Sequence, residues 1–183
     1  DAAKPGFDVT AFWSRAGVAH MHAPKGSDPF ILRTVVGDHT TSLATVSAIL
    51  AALYERERTG QGRVVQTSLL ATGVYSVGSD LAVQLAFGKL ASNRPRNAPF
   101  DPLANFYRSR DERWFVLNPR GASNDWQILC KIFERPDLPA DERFATGRVR
   151  RLHSAELVAE LDKAFNALDF DEIAARLDAV DFV

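Results

Sequence analysis

The chain has 183 residues, 46% hydrophobic and 25% charged, with 22 basic against 23 acidic side chains and a formal net charge of −1. This is globular composition, with apolar matter for one substantial core or two small ones and no electrostatic footprint for nucleic acid or a membrane surface. A single cysteine, Cys130, excludes an internal disulfide framework and fits a reducing, cytoplasmic setting; four scattered histidines offer no zinc pattern, and no apolar run reaches the roughly 18–20 residues of a membrane span.

The sequence opens on Asp1 without an initiator methionine and stops at Asp181-Phe182-Val183, so it reads as a segment of a longer protein. After the Pro5-Gly6 turn, residues 4–14 read as a helix, because Val9, Phe12 and Trp13 follow i, i+3, i+4 spacing. Residues 23–33, rich in proline and glycine, form a loop, and Ile31–Val36 leads to a turn at Gly37-Asp38. Thr41–Arg58 carries the clearest helical pattern, with Leu43, Val46, Ile49, Leu50 and Leu53 at three- and four-residue steps and Gly60 placed to end it. Arg63–Gln66 is a short β-type run. Ser68–Phe87, long and rich in small residues, reads as one helix connecting two domains.

Residues 88–105 hold three prolines and little periodicity, as expected of a linker or active-site loop. A hairpin follows over Tyr107–Asn118, turning at Arg110-Asp111-Glu112-Arg113. Helices are expected after Ser123 or Asn124, over Ser154–Phe165, and from Phe170 or Asp171 onward. Trp13, Phe12, Trp114, Phe115 and Trp126 read as core aromatics, Cys130 as a buried thiol, and Arg148, Arg150 and Arg151 as a solvated face. The first 67 residues hold too few elements to close a core of their own, whereas the last 80–90 make a small α+β unit. There are no internal repeats and no low-complexity tract.

Asp38 is the residue with chemical promise. A carboxylate just before a long helix either satisfies first-turn N–H groups or reacts, and spacing leaves both open.

Several strings resemble the class III CoA-transferases and the related 2-methylacyl-CoA racemases over essentially the whole chain. They are Lys4-Pro5-Gly6-Phe7-Asp8, Gly37-Asp38, Ile49-Leu50-Ala51-Ala52-Leu53-Tyr54 running into Glu55-Arg56-Glu57-Arg58-Thr59-Gly60-Gln61-Gly62-Arg63-Val64-Val65, and Ser68-Leu69-Leu70. Tyr107, Asp111, Arg113-Trp114, Arg135-Pro136-Asp137-Leu138 and Asp141-Glu142-Arg143-Phe144 continue the likeness. The resemblance implies an α/β fold: a fragment of a Rossmann-like large domain plus a small α+β domain, from an intertwined homodimer. Residues 1–67 then belong to the large domain, 68–92 to a connecting helix and 93–183 to the small domain.

It further implies Asp38 as the covalent nucleophile of CoA transfer between an acyl-CoA and a carboxylic acid, with coenzyme A as substrate rather than resident cofactor and no metal. Gly37 lets the backbone approach the substrate, and N–H groups at the helix start stabilise oxyanions. Lys4 lies near the coenzyme's phosphates or in solvent. Asp8 either orients Asp38 or caps the first helix. His39 contacts the substrate's carbonyl region or faces water. Racemases of the family carry Gly-His-Asp where this chain has Gly6-Phe7-Asp8, and a phenyl ring moves no proton, which favours the transferase. His20, His22 and His39 keep the racemase as an alternative, and a catalytically silent dimeric homologue is another. Several family members cover the intermediate with a glycine-rich loop, while many subfamilies have a plain one; the corresponding Asn93–Asp101 has no glycine, which favours an acyl group larger than formate or oxalate.

Overall fold

In the computed structural model, which describes residues 6–90, 93–119 and 124–179, the polypeptide divides into two units, Asp1–Asn93 and Arg94–Val183. The architecture is mixed α/β and rich in helix.

The first unit is built around a short π-helix, Asp8–Arg15, whose wide turns bury Phe12 and Trp13 side by side. Gly17, at φ +87°, turns the chain into α1 (Val18–His22), and Trp13 Nε1 donates to the Phe30 carbonyl at 3.1 Å, tying down the loop that follows. Phe12, Trp13, Ala16 and Val18 form the small core, with Leu32, Val36, Leu69 and Val77 against it. The long helix α2 spans Val36–Thr59 and ends on Gly60 in the left-handed region, where the Gly60 N–H donates to Arg56 O. It begins five residues before the Thr41 start expected from periodicity, so Gly37 and Asp38 lie in its first turn rather than on a turn preceding it. Polar first-turn residues carry no apolar period, which is why the pattern missed them.

Two further expectations give way. Arg63–Gln66 is not a strand: Val64 is 83% exposed, and a β-run needs a neighbouring strand that the described residues do not supply. Ser68–Phe87 is not one helix but two, α3 (Leu69–Ser76) and α4 (Gly78–Phe87), bent by 70° at Val77. Ser68 Oγ caps α3 by accepting the Ala71 N–H at 3.0 Å. Far from leaving the unit at once, α3 lies along the π-helix, because Gly73 has no Cβ to meet Ala16 and the Phe12 backbone. The outer faces of α2 and α4 stay uncovered: Leu43 is 71% and Leu85 78% exposed. Among the described residues no single helix is long and apolar enough to cross a membrane.

The second unit pairs β1 (Asn105–Arg108) with β2 (Trp114–Leu117) antiparallel, in the register Asn105↔Leu117, Phe106↔Val116, Tyr107↔Phe115 and Arg108↔Trp114. Alternation buries Tyr107 and Leu117 in a core shared with α5 (Asp125–Ile132), α6 (Asp137–Ala140), α8 (Ser154–Phe165) and α9 (Phe170–Asp178), while α7 (Gly147–Leu152) contributes no buried residue. Phe165 sits at the centre, 4.9 Å from the Tyr107 ring, 5.1 Å from Phe115 and 4.8 Å from Phe133.

The same alternation corrects one core assignment. Trp114, opposite Arg108, points outward and is 56% exposed, with the Arg96 and Arg108 guanidiniums each 5.7 Å from its ring. Arg150 is also not a solvated charge: it donates to Phe144 O at 2.9 Å and stacks 5.0 Å from the Trp126 ring, and burial lowers its pKa. Burial pushes the Cys130 thiol up to about 12, which leaves it unreactive.

Arginines join the loops of this unit. Arg96, in the stretch expected to be a linker or active-site loop, holds Asp162 with both nitrogens at 2.9 and 2.5 Å and donates to Phe106 O. Arg110 grips Asp169 in the same way. Arg135 joins Asp137 to Glu160, which also accepts from Lys163 at 2.6 Å. Lys163 and Arg135 hold the Glu160 carboxyl below the usual range, and Arg135 does the same to Asp137. A carboxylate whose folded pKa is depressed contributes stability above its unfolded value, near 4, and loses it as pH falls through the folded pKa. The urea midpoint, followed by tryptophan fluorescence, is therefore expected to fall as pH drops below about 4, and Glu160→Gln to flatten that fall. An unchanged acid slope in the variant shows that this network carries no linkage.

Candidate active site

The first turn of α2 rests on the π-helix, and Gly37 makes that possible. A Cβ at this buried position would collide with Asp8 Oδ1 and with the Cβ and ring of Phe12. Glycine is required here by the approach of two protein segments. Asp8, thirty residues earlier in the chain, then turns Oδ1 onto the Asp38 N–H at 3.2 Å and satisfies a donor that the helix itself leaves unpaired. Of the two roles open to Asp8, the geometry combines parts of both: it caps α2, not the first helix, and fixes the backbone of Asp38 through one hydrogen bond.

With its backbone held, the Asp38 side chain stands in the open. It lines a groove of about 500 Å³ together with Thr41, Ser42, Thr45, Val46 and Leu69. Ser42 Oγ donates to Asp38 O at 2.8 Å, and Thr45 Oγ1 is shared between Thr41 O at 2.8 Å and Thr67 Oγ1 at 2.7 Å. Three of the first four amides of α2 are already engaged: Val36 with Thr34 O, Asp38 with Asp8, and His39 with Val35 O. Each of these three bonds commits its N–H within the unit.

The other sequence-derived positions divide. Phe7 is 64% exposed at the head of the π-helix, where its carbonyl accepts the Thr10 and Ala11 N–H groups; it does not line the groove. His39 is exposed, also outside the groove lining, and its ring makes no hydrogen bond among the described residues. Lys4 lies outside the described residues. His22 turns back onto Val18 O at 3.1 Å with its ring 5.0 Å from Trp13, and His20 lines a separate cleft with Met21 and Lys25. Among the described residues no group of three or more His, Cys, Asp or Glu side chains is placed to hold a metal. In the sequence, the signal that identifies Thr41, Ser42 and Thr45 is their helical spacing from Asp38, at i+3, i+4 and i+7.

A family model, CoA-transferase family III, matches residues 1–183. The chain belongs to this family. It is 30% identical over 178 residues to (R)-2-hydroxy-4-methylpentanoate CoA-transferase of Clostridioides difficile, a match that covers 97% of this chain and 44% of that protein. It is 29% identical over 157 residues to cinnamoyl-CoA:phenyllactate CoA-transferase of Clostridium sporogenes, covering 82% of this chain and 38% of that one. Among solved structures, a CAIB/BAIF family protein from Brucella suis superposes with a TM-score of 0.86 at 24% identity, over the whole of this chain and 47% of that one. Rv3272 from Mycobacterium tuberculosis superposes at 0.79 with 27% identity, over 98% and 47%. The chain thus spans under half the length of these relatives.

The seating of α2 can be tested directly. Asp8→Ala is expected to cost about 1 kcal/mol of stability, the range of a lost helix cap, while Asp8→Asn, which keeps a carbonyl oxygen for the Asp38 N–H, costs less. Gly37→Ala is expected to be the worst of the three, because the new methyl displaces both Asp8 and Phe12. Urea unfolding of the three variants measures the order; a Gly37→Ala protein as stable as the parent refutes the close contact.

Proposed function

We propose that the full-length protein transfers coenzyme A between an acyl-CoA thioester and a carboxylic acid, with Asp38 as the covalent nucleophile. The observation that carries this reading is an exposed carboxylate on a rigid helix start, its backbone pinned by Asp8 and its side chain lining an open groove. Family membership supplies the reaction class, and the Clostridioides difficile and Clostridium sporogenes relatives are both CoA-transferases.

The steps follow from carboxylate and thioester chemistry. An Asp38 oxygen attacks the thioester carbonyl; a C–O bond forms, the C–S bond breaks, and a mixed anhydride and CoA thiolate result. The thiolate then attacks the Asp38 carbonyl carbon, expelling the acyl group as its free carboxylate and leaving an aspartyl-CoA thioester. The acceptor acid's carboxylate attacks that thioester, giving a new anhydride and releasing thiolate again. In the last step the thiolate takes the acceptor acyl group and Asp38 regains its carboxylate. Charge and protons balance over the cycle without a redox step. The positive end of the α2 dipole is also a favourable place for an anionic substrate to dock.

In the whole enzyme we assign residues 1–67 to a Rossmann-like large domain, 68–92 to the connection and 93–183 to the small domain, within a cytoplasmic, intertwined homodimer. The uncovered apolar faces of α2 and α4 support the dimer, because exposed side chains such as Leu43, Leu50, Leu85 and Phe87 need a covering surface. The glycine-free Asn93–Asp101 stretch supports an acyl group larger than formate or oxalate.

Incubating the full-length enzyme with an acyl-CoA and then hydroxylamine is expected to tag the peptide bearing Asp38, detected by mass spectrometry, and Asp38→Ala is expected to abolish acyl exchange. Solvent deuterium entering the α-carbon of a 2-methylacyl-CoA, with no exchange between acids, would assign the racemase reaction instead.

A further inference from the structure

Six serine and threonine residues lie on α2, and five of them behave alike. Thr40, Ser42, Thr45, Ser47 and Thr59 each donate the side-chain hydroxyl to the carbonyl four residues earlier. This back-bond is the usual resting place of a helical hydroxyl. Thr41 alone departs from it: its Oγ1 is buried and has no hydrogen-bond partner among the described residues. An unpaired buried hydroxyl costs free energy that the neighbouring back-bonds show to be avoidable at this helix. Thr41 also lines the groove with Asp38, and the two stand at i and i+3, so their side chains share a face with Cβ atoms about 5–6 Å apart.

We infer that Thr41 is a further catalytic residue, whose hydroxyl donates a hydrogen bond to the acyl oxygen of the tetrahedral adduct formed on Asp38. The inference rests on the reading of Asp38 as nucleophile. A single rotation about χ1 exchanges Oγ1 with the γ-methyl, and because Oγ1 gives up no partner, that rotation breaks no hydrogen bond. The other groove hydroxyls are already committed, Ser42 to Asp38 O and Thr45 to Thr41 O and Thr67. Three of the first four α2 amides are engaged as well. Among the described side chains that line the groove, the uncommitted hydroxyl donor is therefore Thr41. The bond strengthens as charge develops on the acyl oxygen, which is the condition for lowering a barrier rather than only tightening binding. The proton stays on Thr41 throughout.

The test uses the full-length enzyme and two variants. Thr41→Val replaces the hydroxyl by a methyl at nearly constant shape, and Thr41→Ser keeps the hydroxyl and removes the methyl. Thr41→Val is expected to lower kcat about 100-fold, the scale of one lost oxyanion donor, with KM for acyl-CoA little changed and the thermal midpoint retained. Thr41→Ser is expected to stay close to the parent. Hydroxylamine trapping separates this inference from the reading beneath it. If the parent enzyme tags Asp38 and Thr41→Val tags it equally fast, Thr41 has no catalytic role and the nucleophile stands. If the parent never tags Asp38, both fall. A Thr41→Ser protein as slow as Thr41→Val also overturns the inference, since packing and not the hydroxyl then matters.

Discussion

The contact between Gly37 and the π-helix Asp8–Arg15 sets the arrangement of the first unit. It is a contact with no room in it: the Gly37 backbone lies where a side chain would overlap Asp8 and Phe12. Phe12 is one of the few buried residues available to this unit, so the same ring that anchors the π-helix in the core forms the bed for α2. Once that turn is seated, the Asp38 N–H meets the Asp8 carboxylate, and the Asp38 side chain is left free to line the groove. An aspartate built this way is held by its backbone and free at its carboxylate. That division suits covalent catalysis, in which the reacting oxygen must be accessible while its position varies little.

The second unit obtains its rigidity differently. A cluster of aromatic rings around Phe165 supplies the buried area, and arginines then close loops onto it. Arg96 and Arg135 matter more than a surface count of ion pairs suggests, because each is partly buried, makes two parallel bonds to a carboxylate and also reaches a backbone carbonyl. The Arg135-Pro136-Asp137-Leu138 and Asp141-Glu142-Arg143-Phe144 strings thereby have a structural explanation. Leu138 and Phe144 enter the core, and the Arg135–Asp137 and Arg143–Asp141 pairs pin the turns that deliver them there.

Unit one is a poor match for its own apolar content. Among the described residues, four buried apolar side chains form its core, while the stripe that periodicity marks on α2 lies exposed. Such a stripe is costly to leave in water. The chain also spans under half the length of the relatives it resembles. Helix periodicity thus reports a burial demand here without naming the surface that meets it.

The sequence by itself determined the family, through the string from Glu55 to Val65, and the identity of the candidate nucleophile, through Gly37-Asp38. It determined the hairpin and the helix Ser154–Phe165 as well, because period-2 and period-3.6 burial within one short unit are local patterns. Only the tertiary structure decided that Asp8 caps a helix far along the chain, that Ser68–Phe87 breaks at Val77, that Trp114 faces water, and that one threonine on α2 lacks the back-bond its neighbours make. The physical reason is common to these cases. Each depends on which distant backbone or side chain occupies the adjoining space, and neither spacing nor propensity along the chain carries that information.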